Sequence, residues 1–250
     1  MDFSLVIPCF NEALGVKKAL TEILNVLGDK TDFEIITVND GSLDETPAIL
    51  DKYASHNSYV RVIHNESNFG YGASLKRGIR EAEGDLIVIT DSDGTYPASS
   101  IPKLLEELKE YDMAVGAHIG PNVEVPLVRR PAKWVLLCYA RWMARADIKD
   151  LNSGLRAFRK KDALRFFPLL PDGFSFTSTI TLAMHVNGMR VSYLPINYRK
   201  RIGRSSIRPI RDTLAFFSLV LRTTMYFRPL QVFGTLSGFL LASAIGVGVT

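Results

Sequence analysis

An α/β fold on a mainly parallel sheet is what this sequence predicts, and three observations predict it. Short β-branched runs alternate with helix-spaced segments through the first half of the chain. Each run opens into a polar cluster, at 8–12, 39–42 and 91–93. The composition, 47% hydrophobic and 22% charged, is that of a folded protein and excludes general disorder. Such alternation implies βαβ units, and open sheets of that kind bind ligands outside the carboxyl ends of their strands.

Phe3-Ser4-Leu5-Val6-Ile7 reads as a buried strand ending at Pro8. Leu14, Ala19, Leu20, Ile23, Leu24 and Leu27 then have helical spacing, with Gly28 at the C-cap. Phe33 to Val38 is the second strand, followed by Asn39-Asp40-Gly41-Ser42 and a helix from about Glu45 to Tyr53. Val60 to Ile63 is a short strand; Asn68-Phe69-Gly70-Tyr71-Gly72 turns into a helix through Leu75 and Ile79. Leu86 to Ile89 is the fourth strand and runs into Asp91-Ser92-Asp93. Side chains alternate along an extended segment, so the two carboxylates are expected to point the same way and could hold a hard divalent cation against phosphate oxygens.

A helix follows Pro97, with Ser99 or Ser100 as N-cap, Pro102 in its first turn, then Leu104, Leu105 and Leu108. Met113 to Val115 is strand-like, 120–131 a loop, Lys133 to Ala146 helical, 147–154 a second polar cluster, and Val191 to Ile196 a further strand. From Arg199 to Arg211 there are six cations and no acid: Arg199, Lys200, Arg201, Arg204, Arg208 and Arg211. Pro209 opens a segment to about Phe227 with Arg208, Arg211, Ser218 and Arg222 on one face and Ile210, Leu214, Phe217 and Leu221 on another, the pattern of a helix lying in a membrane interface.

The 21 residues from Leu230 to Thr250 contain no charge. As a helix they span about 31 Å, enough for a transmembrane segment. Cations on its N-terminal side predict that the preceding domain faces the cytoplasm. With no Lys or Arg closing the far end, the chain is expected to be a piece of a longer membrane protein, and no signal peptide is expected at Met1. Gly234, Gly238, Ala242 and Gly246 form a small-residue stripe that would permit a homo-oligomer. The net charge of +4 is mild and no nucleic acid is expected as a partner. Cys9 and Cys138 have neither metal-ligand nor disulfide-framework spacing, which suits a reducing compartment.

Taken together, Val6-Ile7-Pro8-Cys9-Phe10-Asn11-Glu12, Val38 to Ser42, Asn68 to Gly72, Asp91-Ser92-Asp93 and Asn152-Ser153-Gly154-Leu155-Arg156-Ala157-Phe158 resemble a family 2 glycosyltransferase of the GT-A fold. The nearer resemblance is to the polyprenyl-phosphate glycosyltransferases, the group of dolichyl-phosphate mannosyltransferase and its undecaprenyl-phosphate relatives. It implies a catalytic domain over 1–208, an interfacial helix over 209–228 and a membrane helix over 230–250. It further implies an inverting transfer of one sugar from a UDP- or GDP-linked donor to a dolichyl or undecaprenyl phosphate.

Pro8, Asn11, Glu12 and Ser92 would line the nucleotide-sugar site, with Asp40 on the base or ribose. Asp91 and Asp93 would hold Mg²⁺ or Mn²⁺, and Arg130 (or Arg129), Arg199, Arg201, Arg204 and Ser205 would grip the lipid phosphate and the leaving diphosphate. Asp150 would act at the acceptor, either as base or orienting group or as a structural cap. Three positions depart from the mannosyltransferase pattern: Thr95 stands for a metal-coordinating Gln, His118 for an Arg, and Ser206 for a Lys. They leave GDP-mannose, UDP-glucose and UDP-N-acetylhexosamines open as donors. Phe176-Thr177-Ser178-Thr179 lacks the Glu-Asp pair of relatives that glycosylate hydroxyls, and no Gln-x-x-Arg-Trp element of processive synthases is present. A sugar nucleotidyltransferase, or a membrane-tethered scaffold without activity, is the competing reading.

Overall fold

A computed structural model describes residues 1–28, 32–119, 137, 138, 140–199, 218, 221, 225, 226 and 229–248. Its centre is a seven-stranded sheet. The strands are β1 (Phe3–Cys9), β2 (Phe33–Asn39), β3 (Val60–His64), β4 (Leu86–Ile89), β5 (Met113–Ala117), β6 (Arg156–Arg159) and β7 (Val191–Pro195), in the spatial order β3-β2-β1-β4-β6-β5-β7. The helices are α1 (Ala13–Leu27), α2 (Thr46–His56), α3 (Tyr71–Glu81), α4 (Ile101–Glu107), α5 (Lys160–Phe166), α6 (Phe176–Val186) and α7 (Pro229–Gly248). Residues 140–144 are also helical.

All seven residues of β1 and of β2 are buried, as expected of parallel strands covered on both faces. Leu5 and Ile7 pack on one side with Val16, Leu20 and Ile23 of α1 and Leu104 of α4. Val6 points the other way, into a cluster with Leu75 and Ile79 of α3 and Phe176 and Ile180 of α6. The chain leaves β1 toward β2 and β3, then returns to β4 on the opposite side of β1. The order therefore switches between β1 and β4, where open α/β sheets form their crevice.

Several expectations need correction. β1 does not end at Pro8 but runs through it to Cys9. Pro8 is tolerated because β4 pairs with β1 only as far as Val6↔Ile89, so no ladder bond on that side needs its missing N–H. The 91–93 segment is not extended, since β4 stops at Ile89 and residues 92–93 form a turn. Ser100 precedes α4 but makes no side-chain cap bond; a 3₁₀ turn at Ala98–Ser100 leads in instead. The sheet is mainly parallel, as expected, with four parallel strand pairings; β6 runs antiparallel to both β4 and β5. β6, α5 and α6 had no counterpart in the sequence reading.

α7 is a 20-residue helix whose sequence carries no charged residue. Leu230, Phe233 and Leu240 are exposed on it, and a Cβ added at Gly234 or Gly238 would meet nothing within 4 Å. Among the described residues, no helix is long and apolar enough to cross a membrane; several α7 side chains lie outside that set. The expected loop at 120–131 and most of the basic and interfacial segments from 200 to 228 also lie outside the described residues.

Candidate active site

The loops at the carboxyl ends of β1, β2, β3 and β4 are stitched to one another. Asn11 sits at φ 53°, a left-handed conformation that Asn tolerates, and this aims its side chain across to the β2 loop. Its Oδ1 accepts from Leu43 N at 2.8 Å, while its own N–H donates to Ser42 Oγ at 3.0 Å. Glu12 N–H donates to Thr46 Oγ1. Asp40, 3% exposed, accepts from Asn65 Nδ2 (2.7 Å), Phe69 N (3.0 Å) and Gly70 N (2.8 Å). Its carboxylate thus anchors the loop at 65–70. Gly15 of α1 lets the helix start against the Asp turn, because a Cβ there would lie 2.7 Å from Asp93 Cα.

The two carboxylates of the Asp turn have separate surroundings. Asp91 is half-buried and accepts from the Tyr71 hydroxyl at 2.9 Å. Gly154 backs onto it, and a Cβ there would come within 2.6 Å of both Asp91 carboxylate oxygens. Tyr96 Oη accepts from Gly154 N–H at 2.7 Å. Burial, reinforced by the Asp91 charge, raises the Tyr71 and Tyr96 phenols well above their ordinary range, so both stay protonated. Asp93 is buried, and its Oδ1 accepts from Thr95 N–H (3.1 Å) and Thr95 Oγ1 (2.6 Å). The Thr that replaces the expected Gln therefore orients a carboxylate. Below the turn, burial pushes the Cys9 thiol up to about 12, so it is no thiolate ligand or nucleophile at neutral pH.

On the other side of the cleft, Asp150 is 3% exposed and accepts from three backbone N–H groups: His118 (2.8 Å), Asn152 (2.9 Å) and Ser153 (3.3 Å). Those are the bonds of a loop cap. His118 Nδ1 lies 3.4 Å from Asp150 Oδ2, and its ring packs with Tyr96 and Tyr198. Arg156 of β6 is wholly buried and holds the same loop, with Nε to Ser153 O at 2.7 Å, Nη2 to Leu151 O at 2.8 Å and Nη1 to Thr181 Oγ1 of α6. Burial lowers its pKa, and the Asp150 charge opposes that. Ser178 Oγ donates to Asn152 Oδ1 at 3.2 Å, which puts the start of α6 beside this loop.

The basic segment begins at the cleft. Arg199 N–H donates to Thr95 O at 3.0 Å, and Arg199 Nη1 pairs with Glu22 Oε2 of α1. Pro8, Asn11, Glu12, Asp40, Asp91, Ser92 and Asp93 are thus gathered at the β1–β4 switch, with Asp150 and Arg199 across from them. Arg130, Arg201, Arg204 and Ser205 lie outside the described residues. Sequence reasoning missed Tyr71, Tyr96 and Glu22 and gave Arg156 no role. Both tyrosines lie in or beside the sequence motifs, Tyr71 inside the glycine turn and Tyr96 three residues past Asp93.

Among the described residues, no group of three or more His, Cys, Asp and Glu could hold a metal. Two carboxylates are nevertheless an apt donor set for Mg²⁺, which is held by one or two carboxylates together with waters and substrate phosphates. Asp91 and Asp93 are the two carboxylates of the Asp turn that could supply such a donor set.

A crevice at the sheet's switch point, flanked by an Asp-x-Asp turn, marks an α/β protein whose ligand site lies at the carboxyl ends of its strands. The glycosyl transferase family 2 model matches residues 4–167, and the chain belongs to that family. It is 29% identical over 232 residues to the glycosyltransferase AglD of Haloferax volcanii, covering 89% of this chain and 37% of that one. It is 28% identical to the dolichyl-phosphate hexose transferase of the same organism, covering 90% of this chain and 94% of that one. With the dolichol-phosphate mannosyltransferase of Pyrococcus furiosus it shares 32% identity over 188 residues, 73% of this chain and 53% of that one. Glucosyl-3-phosphoglycerate synthase of Mycobacterium tuberculosis, solved with Mn²⁺, UDP and glucosyl-3-phosphoglycerate, superposes with a TM-score of 0.67 at 19% identity, covering 90% and 79% of the two chains. That likeness shows the GT-A fold.

Proposed function

We propose that this chain transfers a single sugar from a nucleotide-sugar to the phosphate of a polyprenyl phosphate, with inversion at the anomeric carbon. The observation that carries this reading is the Arg199 N–H to Thr95 O bond, which starts a six-cation segment on the loop that orients Asp93. A phosphate-rich donor and an anionic lipid acceptor are the ligands such a junction suits. The names of the dolichyl- and undecaprenyl-phosphate sugar transferases among its relatives support the same acceptor class. The interfacial segment 209–228 and α7, with the span at 230–250, would hold the domain at the cytoplasmic membrane face.

Asp91 and Asp93 are the residues that would hold Mg²⁺ or Mn²⁺, which when bound supplies Lewis-acid neutralisation of a departing nucleoside diphosphate. Tyr71 holds Asp91 by its hydroxyl, and Thr95 holds Asp93, so both carboxylates are oriented before a donor arrives. Pro8, Asn11, Glu12 and Ser92 line the donor side. An acceptor phosphate oxygen attacks the anomeric carbon; the bond to the diphosphate oxygen breaks and its electron pair leaves with the nucleoside diphosphate. A phosphate monoester has its second pKa near about 6, so the acceptor is largely ionised at neutral pH and needs no strong base. Asp150 then serves by holding the 150–154 loop, and the arginines of the basic segment hold the acceptor phosphate.

The test is purified protein incubated with a panel of UDP- and GDP-sugars, Mg²⁺ or Mn²⁺, and short polyprenyl phosphates, scored for glycolipid. One donor should yield a monoglycosylated lipid phosphate. Exchange between a sugar 1-phosphate and a nucleoside triphosphate would assign a nucleotidyltransferase instead, and no turnover with any donor would leave the scaffold reading standing.

A further inference from the structure

The segment between α5 and α6 is tied down at both ends. Asp172 O accepts from Ala73 N–H, in the first turn of α3, at 3.0 Å. Lys76 of α3 donates to Leu170 O at 2.8 Å and pairs with the Asp172 carboxylate. Gly70 and Gly72 permit this close approach: a Cβ on Gly70 would lie 2.6 Å from Asp172 O, and one on Gly72 would run into Pro171 O. At the far end Gly173 O accepts from Phe176 N–H at 3.3 Å, Phe176 is wholly buried, and Ser178 donates to Asn152 of the 150–154 loop. Phe174 stands between these ties and is 67% exposed. Its ring is nevertheless stacked on Tyr71, with centroids 5.7 Å and planes 20° apart, and the Tyr71 hydroxyl donates to Asp91 Oδ1 at 2.9 Å.

We propose that Phe174 is a positioning residue for the metal-holding carboxylate: by stacking on Tyr71 it sets the hydroxyl that holds Asp91. This rests on the assignment of Asp91 and Asp93 to a divalent ion made above. A phenol that must meet one carboxylate oxygen needs its ring placed as well as its backbone. The start of α3 fixes the backbone, the Asp91 bond fixes the tip, and the Phe174 stack fixes the ring between them. A phenylalanine so exposed adds little to the core, whereas an aromatic pair has a preferred geometry and a strength of its own. The ties to Ala73 and Lys76 give the stack a fixed platform. Hydrogen-bond partners of a ligating carboxylate orient it, and losing one costs about 10- to 100-fold in metal affinity or activity. Phe174 acts one step further out, so its loss is felt more weakly and only through Tyr71.

The test reads Mn²⁺ binding rather than turnover: the full chain is titrated with Mn²⁺ by electron paramagnetic resonance, in the presence of UDP and, in a second series, of GDP. If wild type binds Mn²⁺ in neither series, the metal assignment fails and this inference falls with it. In the series that binds, Tyr71→Phe, which keeps the ring and loses the hydroxyl, should weaken Mn²⁺ about tenfold. Phe174→Ala should weaken it about threefold, the low end of what an aromatic pair is worth. Its melting temperature should stay within about 2 °C of wild type, because exposed substitutions move stability little. Phe174→Tyr, which rebuilds the stack, should restore wild-type affinity. The double variant should bind no more weakly than Tyr71→Phe alone, since without the hydroxyl the stack has nothing to transmit. Wild-type Mn²⁺ affinity in Phe174→Ala overturns the proposal. Losses that multiply in the double variant also overturn it, and would make Phe174 a direct contact to the bound nucleotide.

Discussion

The β3-β2-β1-β4 side of the sheet and the β6-β5-β7 side bring different kinds of group to one cleft. The first side is parallel throughout, and its loops present main-chain amides, Asn11, Asp40 and the Asp turn. The second mixes strand directions around β6 and presents a loop held by two buried, oppositely charged residues, Asp150 and Arg156. On the β3-β2-β1-β4 side, each polar loop follows directly from the strand before it. On the β6-β5-β7 side, one loop depends on groups from β5, β6 and α6 at once. Buried charges with several partners are costly to disturb, so the two sides should respond differently to substitution.

The largest effect is expected where the comparison is simplest. Asp91→Ala or Asp93→Ala should lower kcat/KM by about 10³-fold, the scale of losing a principal electrostatic contact to a leaving group. Full activity in both variants would remove the metal assignment. Arg156→Met tests the opposite behaviour. It leaves Ser153 O, Leu151 O and the Thr181 hydroxyl without their donor inside the protein. Stability should fall by about 3 kcal/mol or more, read from urea midpoints at unchanged slope. A variant as stable as wild type would mean that the 150–154 loop is held by something other than this guanidinium.

The same contrast explains how much could be read from sequence. β1 to β4 and their helices were visible because each is a local pattern: a β-branched run, a helical spacing, a polar loop. The Asp turn, Asp40 and the 8–12 loop could be placed at one crevice by topology alone. β6 was not visible, since Arg156-Ala157-Phe158-Arg159 has two charged ends and no β-branched residue, and it is a strand only because β4 and β5 pair with it on both sides. Nor was α6, whose Thr177, Ser178, Thr179 and Thr181 are buried polar residues where a helix pattern would show apolar ones. Tyr71, Tyr96 and Glu22 matter through partners distant in sequence, which spacing does not reveal.

Gly154→Ala sharpens the comparison, because it joins the sides. The added Cβ would come within 2.6 Å of the Asp91 carboxylate, which must turn away from it and so from the Tyr71 hydroxyl. Activity should fall about tenfold to a hundredfold from misplacement alone, with the fold retained. Circular dichroism melting would verify the fold, and wild-type kcat/KM in that variant would show that Asp91 need not sit where Tyr71 holds it.

The smallest effect is a pH dependence that separates the sides without touching the cleft. Burial holds His185 of α6 down at about 4, from an ordinary 6.5, with the Asp147 charge opposing. Its Nε2 lies 3.0 Å from the Tyr193 hydroxyl of β7, a phenol that burial keeps protonated. The unfolded chain binds a proton at His185 near 6.5, while the folded chain does so only near 4. Between those values the unfolded state carries more protons, so the contribution is complete above about 6.5 and is lost as pH falls toward 4. On the β3-β2-β1-β4 side, burial pushes the Asp44 carboxyl up, but bonds from Thr46 and Ala13 outweigh it and hold the group below its ordinary 3.8. That contribution persists until the pH drops below 3.8. Mild acid should therefore loosen the α6–β7 contact first. Urea midpoints taken through the window between 6.5 and about 4 should slope less in His185→Gln than in wild type. Equal slopes would assign the acid sensitivity elsewhere.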